Sequence, residues 1–196
     1  MFSGLVIGQA TVTTIRKLGD SIRLGVSHHG LARRVRVGGS VAVNGCCLTV
    51  THRANGALGF DLLHETWNRT TFRLARTGEC VNLELPLRLG DAVGGHFVTG
   101  HVDCIGRIMA RVRRKGDVIL EIRPPGEFMR WITTKGSIAV DGVSLTVARA
   151  LKSSFTLCVI PHTLRLTTLG WKWKGDFVNL EADLLARYAQ KKTHRR

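Results

Sequence analysis

The chain has 196 residues, enough for one large domain or two compact ones, each with a modest core. Its composition, 44% apolar and 22% charged with 22 glycines and only 4 prolines, excludes a disordered or fibrous chain. No apolar run reaches the roughly eighteen residues of a membrane span, and a net charge of +15 favours anionic partners. In chain order, Met1 to Ala10 lacks the basic and apolar stretches of a secretory leader. Around Val41 and Val43 a strand is predicted, turned by Asn44-Gly45 into a second strand carrying Leu48 and Val50. The same pattern recurs around Asp141-Gly142; Asn-Gly and Asp-Gly mark tight hairpins because a type I′ turn needs positive φ at both central residues. From Ala182 to Lys191 a helix is predicted, with Leu184, Leu185 and Tyr188 on one face.

These matching hairpins belong to an internal repeat. Gly39 to Val50 reappears as Gly136 to Val147, an offset of 136 minus 39, or 97. That offset also carries Thr66 onto Thr163, Thr70-Thr71 onto Thr167-Thr168, and Val81-Asn82-Leu83-Glu84 onto Val178-Asn179-Leu180-Glu181. Ser3-Gly4-Leu5-Val6 answers Thr99-Gly100-His101-Val102 at an offset of 96. We therefore divide the chain into residues 1–95, 96–183, and a terminal helix with a basic tail, 184–196. Short strands with glycine-rich turns, in units of under a hundred residues, predict closed or nearly closed antiparallel barrels with few exposed edges.

Several chemistries are set aside by spacing. The five cysteines form no Cys-x-x-Cys pair and are an odd number, which reads as reduced thiols in a cytoplasm. Glycines from Gly90 to Gly95 have P-loop spacing, but His96 stands where a lysine is required. His96 and His101 lack a third ligand at a useful spacing, so no metal is expected. Asn68-Arg69-Thr70 is a glycosylation triplet without a secretory context. Arg33, Arg34 and Arg36, the run Arg111 to Lys115, and Lys191, Lys192, Arg195 and Arg196 read as solvated surface, since no nucleic-acid motif accompanies them. At Trp171-Lys172-Trp173-Lys174, indoles packed beneath solvated lysines are favoured over a base-stacking platform. The copies also diverge at their hairpins: Asn44 against Asp141, Cys46 against Val143, Cys47 against Ser144, and Glu65 against His162. On pattern alone Cys47 is as consistent with a small buried hydrophobe as with a functional thiol, and Ser40 and Ser137 with turn residues.

Met1-Phe2-Ser3-Gly4, Asn44 to Val50, Glu65-Thr66, Gly94-Gly95-His96, Thr99-Gly100-His101 and Lys135-Gly136 with Asp141 to Thr146 together resemble the riboflavin synthase α-chain family, in order and over nearly the whole chain. The resemblance implies an all-β fold of two tandem six-stranded Greek-key antiparallel β-barrels in a pseudo-twofold relation, with a C-terminal α-helix that gathers a homotrimer. It implies no cofactor, no nucleic-acid partner and no membrane. The implied reaction is a dismutation: two molecules of 6,7-dimethyl-8-ribityllumazine exchange a four-carbon unit to give riboflavin and 5-amino-6-ribitylamino-uracil. By the motif match, Ser40, Cys47, Thr49, His96 and His101 would serve the N-terminal pocket, with Phe2 packing on the ring system. Lys135, Asp141, Ser144 and Thr146 would serve the C-terminal side. Ser3, Gly4, Val6, Asp61, Leu63, Thr66, Ile160 and Thr163 would line the substrate sites. Direct participation is assigned to Phe2, Ser40, Cys47 and His101. Two departures stand out: Ser3 where the family has threonine, and His162 where it has glutamate. The rival reading is a lumazine or flavin carrier on the same barrels. Such carriers tend to lose the Cys-Cys and Gly-Gly-His elements, both of which are present here.

Overall fold

The computed structural model describes residues 1–19 and 21–193. The first barrel is built from β1 (Gly8–Leu18), β2 (Ser21–Ser27), β3 (Ser40–Val43), β4 (Cys46–Ala54), β5 (Ala57–Leu62) and β6 (Cys80–Glu84), with short helices α1 (His29–Ala32) and α2 (His64–Arg69) in its connections. The second repeats this as β7 (Cys104–Arg114), β8 (Asp117–Arg123), β9 (Ser137–Val140), β10 (Val143–Ala150), β11 (Phe155–Val159) and β12 (Phe177–Ala182), with α3 (Pro161–Leu166) before its last strand. A final helix, α4 (Leu184–Thr193), follows. The strand orders, β1-β2-β5-β4-β3-β6 and β7-β8-β11-β10-β9-β12, are the same Greek-key closed ring written twice, and every pairing is antiparallel.

Alternation explains each interior. Val12, Leu24, Val41, Val50, Phe60 and Leu83 fill the first barrel; Ile108, Leu120, Ile138, Val147, Phe155 and Leu180 fill the second, so neither ring is a ligand-holding tube. Bulges fall at matching places, between Val12 and Thr14 in β1 and between Ile108 and Ala110 in β7, and supply the local twist that lets so few strands close.

A pseudo-twofold seam joins the barrels. Phe2 and Val98 exchange backbone hydrogen bonds of 2.7 and 3.1 Å and pack with Ala42 and Ala139 in a small separate core. The two predicted hairpins meet there tip to tip. Asn44, Gly45, Asp141 and Gly142 all have positive φ, and a Cβ on Gly45 would lie 2.6 Å from the Gly142 nitrogen. Side chains lock the seam reciprocally: Asn82 Nδ2 donates to the Asp141 carbonyl at 2.9 Å, and Asn179 Nδ2 to the Asn44 carbonyl at 2.8 Å. Asn44 Oδ1 and Asp141 Oδ1 accept from the backbone of Asn82 and Asn179, each at 2.7 Å. The Asn82 and Asn179 amide bonds cross the seam and fix one register between the barrels, while Asn44 Oδ1 and Asp141 Oδ1 bind within their own barrel and the buried Asp141 Oδ2 has no partner among the described residues.

One expectation changes here. Trp171 and Trp173 stand 72% and 65% exposed rather than packed beneath lysines, because Arg111 draws the loop onto the barrel wall by donating to the carbonyls of Leu169, Gly170 and Lys172. On α4, Leu185 and Tyr188 are 72% and 63% exposed, so the apolar face is not covered within one chain. Arg195 and Arg196 of the expected basic tail lie outside the described residues.

Candidate functional site

The site grows out of one strand. In β4, Cys46, Leu48 and Val50 point into the barrel, so Cys47 and Thr49 point outward, and Ser40 of β3 pairs directly with Thr49 on that same outer face. The second barrel repeats this with Ser144 and Thr146 outward and Ser137 paired with Thr146. Strand register alone thus brings together Ser40, Cys47 and Thr49, and separately Ser144 and Thr146, on the barrel exterior.

Each outer face is completed by a segment from the opposite copy. The Cys47 amide donates to the Gly100 carbonyl at 2.8 Å, and the Ser144 amide to the Gly4 carbonyl at 2.8 Å. A Cβ on Gly100 would lie 2.5 Å from Cys47 Cβ, and one on Gly4 2.6 Å from Ser144 Cβ, so both crossings require glycine. A glutamate holds each segment. Glu181 accepts from the Thr99 amide and hydroxyl, both at 2.7 Å, and from the Gly100 amide at 3.0 Å. Glu84 accepts from the Ser3 amide and hydroxyl at 2.8 and 2.9 Å and from the Gly4 amide at 3.1 Å. Burial raises both carboxyl pKa values, and these donated hydrogen bonds oppose the rise. In consequence Val6 packs against the second core and Val102 against the first.

Around Cys47 a cavity of about 320 Å³ is lined by Glu65, Thr66, Arg69, Thr70, His101, Asp103 and Arg187. Cys47, Thr66 and His101 were expected there. Arg187 comes from α4, pairs with Asp103 and stands 5.5 Å from the Trp131 ring centroid, bringing the terminal helix into the wall of the first site. Asp103 also accepts from the Ala182 amide at 2.9 Å, while its carbonyl accepts from Arg69 at 3.4 Å. Beside it, the thiol of Cys46, inside the barrel, is pushed up to about 12, chiefly by burial, which leaves the outward Cys47 as the accessible member of the vicinal pair.

His96 stands on the other barrel from the one expected. Its Nδ1 lies 2.7 Å from Ser144 Oγ, with the tautomer deciding which group donates. The backbone forces this placement: a Cβ on the preceding Gly95 would sit 2.1 Å from the Ser3 carbonyl oxygen and 2.8 Å from Ser144 Cβ. Burial lowers the His96 pKa and favours the neutral ring, and its buried Nε2 has no partner among the described residues.

Other expected residues lie elsewhere. Phe2 has no exposed surface and packs in the seam; Asp141, also 0% exposed, is a seam residue rather than a pocket wall. Ser3 is 4% exposed under Glu84. Asp61 faces the outer wall of the first barrel, 3.4 Å from Arg23. Lys135 is exposed at a positive-φ turn, its amide donating to the Val147 carbonyl at 2.8 Å. Leu63 and Ile160 cap α2 and α3 with 75% and 54% of their surface exposed, and Thr163 is half-buried on α3.

This geometry, two unlike sites on two like barrels, agrees with the comparisons. The family model described as lumazine binding domain matches twice, at residues 3–86 and 99–183. Riboflavin synthase of Mycobacterium tuberculosis (strain H37Rv) is 40% identical over 195 residues, covering 97% of each chain. The chain belongs to the riboflavin synthase family. Among other members of that family, the riboflavin synthase of Chlamydia muridarum is 40% identical over 187 residues, covering 95% of this chain and 92% of the relative. That of Bacillus amyloliquefaciens is 36% identical over 195 residues, covering 100% and 91%. Among solved structures, LumP complexed with riboflavin superposes with a TM-score of 0.86 at 28% identity, covering 93% of this chain and 99% of that one. LumP complexed with 6,7-dimethyl-8-(1'-D-ribityl) lumazine gives 0.85 at 27%, with the same coverage.

Sequence reasoning passed over Glu84, Glu181, Asn82 and Asn179 as site-building groups. The signal was present, since an Asn and a Glu recur at the same two positions of each copy's last strand. Arg69, Asp103 and Arg187 left no such trace, because they meet only through folding.

Proposed function

We propose that this protein is a riboflavin synthase: it binds two molecules of 6,7-dimethyl-8-ribityllumazine and moves a four-carbon unit from one to the other, releasing riboflavin and 5-amino-6-ribitylamino-uracil. The observation that carries the reading is the paired outer faces, alike in backbone and unlike in chemistry: Ser40, Cys47, Thr49 and His101 on one barrel, Ser144, Thr146 and His96 on the other. Donor and acceptor are the same molecule, so two related barrels suit both, and the divergent side chains assign unlike roles. Holding both rings in register turns an encounter of two molecules into an oriented reaction within one assembly.

Two steps need polar help: loss of a proton from the C7 methyl of the donor and attack of a nucleophile on the electron-poor C7 of the acceptor. Positioned acids and bases contribute on the order of 10² to 10⁴ in rate. In this reading His101, Cys47 and Ser40 stand within reach of a ring held over the outer face of β4, and Thr66 and Thr49 orient it. Phe2 acts through packing, since it braces Cys47 from inside the seam. On the second barrel a neutral His96 bonded to Ser144 offers a proton carrier, with Lys135, Ile160 and Thr163 around the rim. Units 1–95 and 96–183 each hold one lumazine. The uncovered Leu185 and Tyr188 of α4 support a homotrimer, in which the site of one subunit faces the complementary site of its neighbour. Five free cysteines support a reducing, cytoplasmic setting, and among the described residues no helix is long and apolar enough to cross a membrane.

Mixing the purified protein with the ribityllumazine, without metal or nucleotide, and following absorbance and fluorescence tests the reading. Riboflavin should accumulate; ligand retained with no product would instead favour a carrier of the LumP kind.

A further inference from the structure

The outer wall of the second barrel carries a feature that lumazine chemistry does not use. Between the β7–β8 hairpin and α3 lies a cavity of about 390 Å³, lined by Arg111, Arg113, Val118, Leu164, Arg165 and Trp173 among others, with no carboxylate lining it among the described residues. Its volume falls within the range of small-ligand pockets, about 300–1,000 Å³. Arg111 is pinned by three carbonyls, at 3.0, 2.9 and 3.2 Å, and stands 5.0 Å from the Trp173 ring centroid. One indole face is thus braced, while the side chain keeps 65% of its surface open. Arg113 and Arg165 at the rim are exposed and have no ion-pair partner among the described residues.

The first barrel serves as an internal control. At the repeat offsets of 96 and 97, Arg111 corresponds to Ile15, Arg165 to Asn68 and Trp173 to Arg76, while Arg113 alone meets another cation, Lys17. The shared fold therefore does not require this arrangement; only the second copy has it.

We propose that this cavity is a nucleotide site, in which a planar base stacks on the free face of Trp173 and a phosphate lies between the guanidinium groups of Arg113 and Arg165. Aromatic stacking tolerates any base, and guanidinium groups grip phosphate oxygens in pairs. Arg114, Lys115 and Lys174 adjoin the lining residues in sequence, while the Asp176 carboxylate accepts from the Trp173 amide at 2.7 Å; the nucleotide unit is either a free mononucleotide or part of a single strand.

The full chain is titrated with AMP, adenosine and inorganic phosphate by calorimetry, and with labelled single-stranded oligo-dA by anisotropy. Saturable AMP binding is expected, with adenosine and phosphate each at least about tenfold weaker. Trp173→Ala, and Arg113→Ala with Arg165→Ala, should each weaken AMP binding about tenfold or more, with thermal unfolding and riboflavin formation unchanged. Trp173→Phe should keep most of the affinity, separating loss of the ring from loss of the loop. Oligo-dA binding about as tightly as AMP assigns a free nucleotide. Oligo-dA binding at least about tenfold tighter, with a salt slope reduced by about 1.4 in the double arginine variant, assigns a strand. If neither probe binds, or if both bind these variants as tightly as the unaltered chain, the proposal is overturned.

Discussion

Gly45 and Gly142 face one another across the seam so closely that each would drive a Cβ into the other's backbone, at 2.6 and 2.7 Å. Both also hold positive φ, +77 and +78. Gly45→Ala should therefore cost roughly 2–4 kcal/mol, read as a lower urea midpoint at unchanged m-value. Asp141 beside it has a carboxyl pKa raised from 3.8 to about 6, chiefly by burial, partly countered by Lys172 and by the Asn179 amide. The folded chain then holds the proton more tightly than the unfolded chain does. Stability from this group is complete below about pH 4 and is lost as pH rises through about 6, a change of about 3 kcal/mol. Asn44, the counterpart in the first copy, makes the equivalent hydrogen bond without titrating. Asp141→Asn should leave stability near pH 4 little changed and raise it at pH 7.5, flattening the profile; an unchanged slope between those values would rule out Asp141 as its source.

The elements that matter most for the site are not strands but the two crossing segments, residues 2–6 and 98–102, each anchored by a glutamate of a barrel's last strand. Glu181 sets Thr99 and Gly100, and through them the position of His101 beside Cys47. Glu181→Gln replaces one accepting oxygen with an amide that only donates, leaving an amide hydrogen of the segment unpaired at a cost of about 1–2 kcal/mol. A shift of even 1 Å at a reacting group lowers turnover by up to about 10². Riboflavin formation by Glu181→Gln is expected to fall at least about tenfold at temperatures well below its unfolding transition. Full turnover with a lowered transition would mean that the glutamate only stabilises. The grouping of Ser40, Cys47 and Thr49 was legible in advance only through the family resemblance; the strand register of β3 and β4 supplies its physical reason. Which barrel His96 serves was not legible, because a loop residue's partner depends on where Gly95 crosses Ser3 and Ser144.

For the whole molecule, Leu185 and Tyr188 on α4 are among the exposed apolar side chains, and they are the ones a proposed trimer would cover. Replacing Leu185 and Tyr188 together by glutamate should leave both barrels folded by circular dichroism while sedimentation equilibrium shows single chains. Since each proposed reaction site spans two subunits, turnover should fall with the mass. The predicted helix over Ala182 to Lys191 and the observed Leu184–Thr193 nearly coincide, yet its inner contact, Arg187 with Asp103, gave no local signal.

The duplication, both hairpins and the closed or nearly closed antiparallel barrels were determined by the residues alone. Glycine pairs and alternation act over a few neighbours, and the repeat supplied each inference twice. Tertiary structure decided the rest: the exchange of N-terminal segments, the withdrawal of Phe2 and Asp141 into the seam, the transfer of His96 to Ser144, and the exposure of Trp173. Those outcomes depend on how two nearly identical surfaces meet about a pseudo-twofold axis, where bonds such as Asn82 to Asp141 and Asn179 to Asn44 join residues 59 and 135 positions apart.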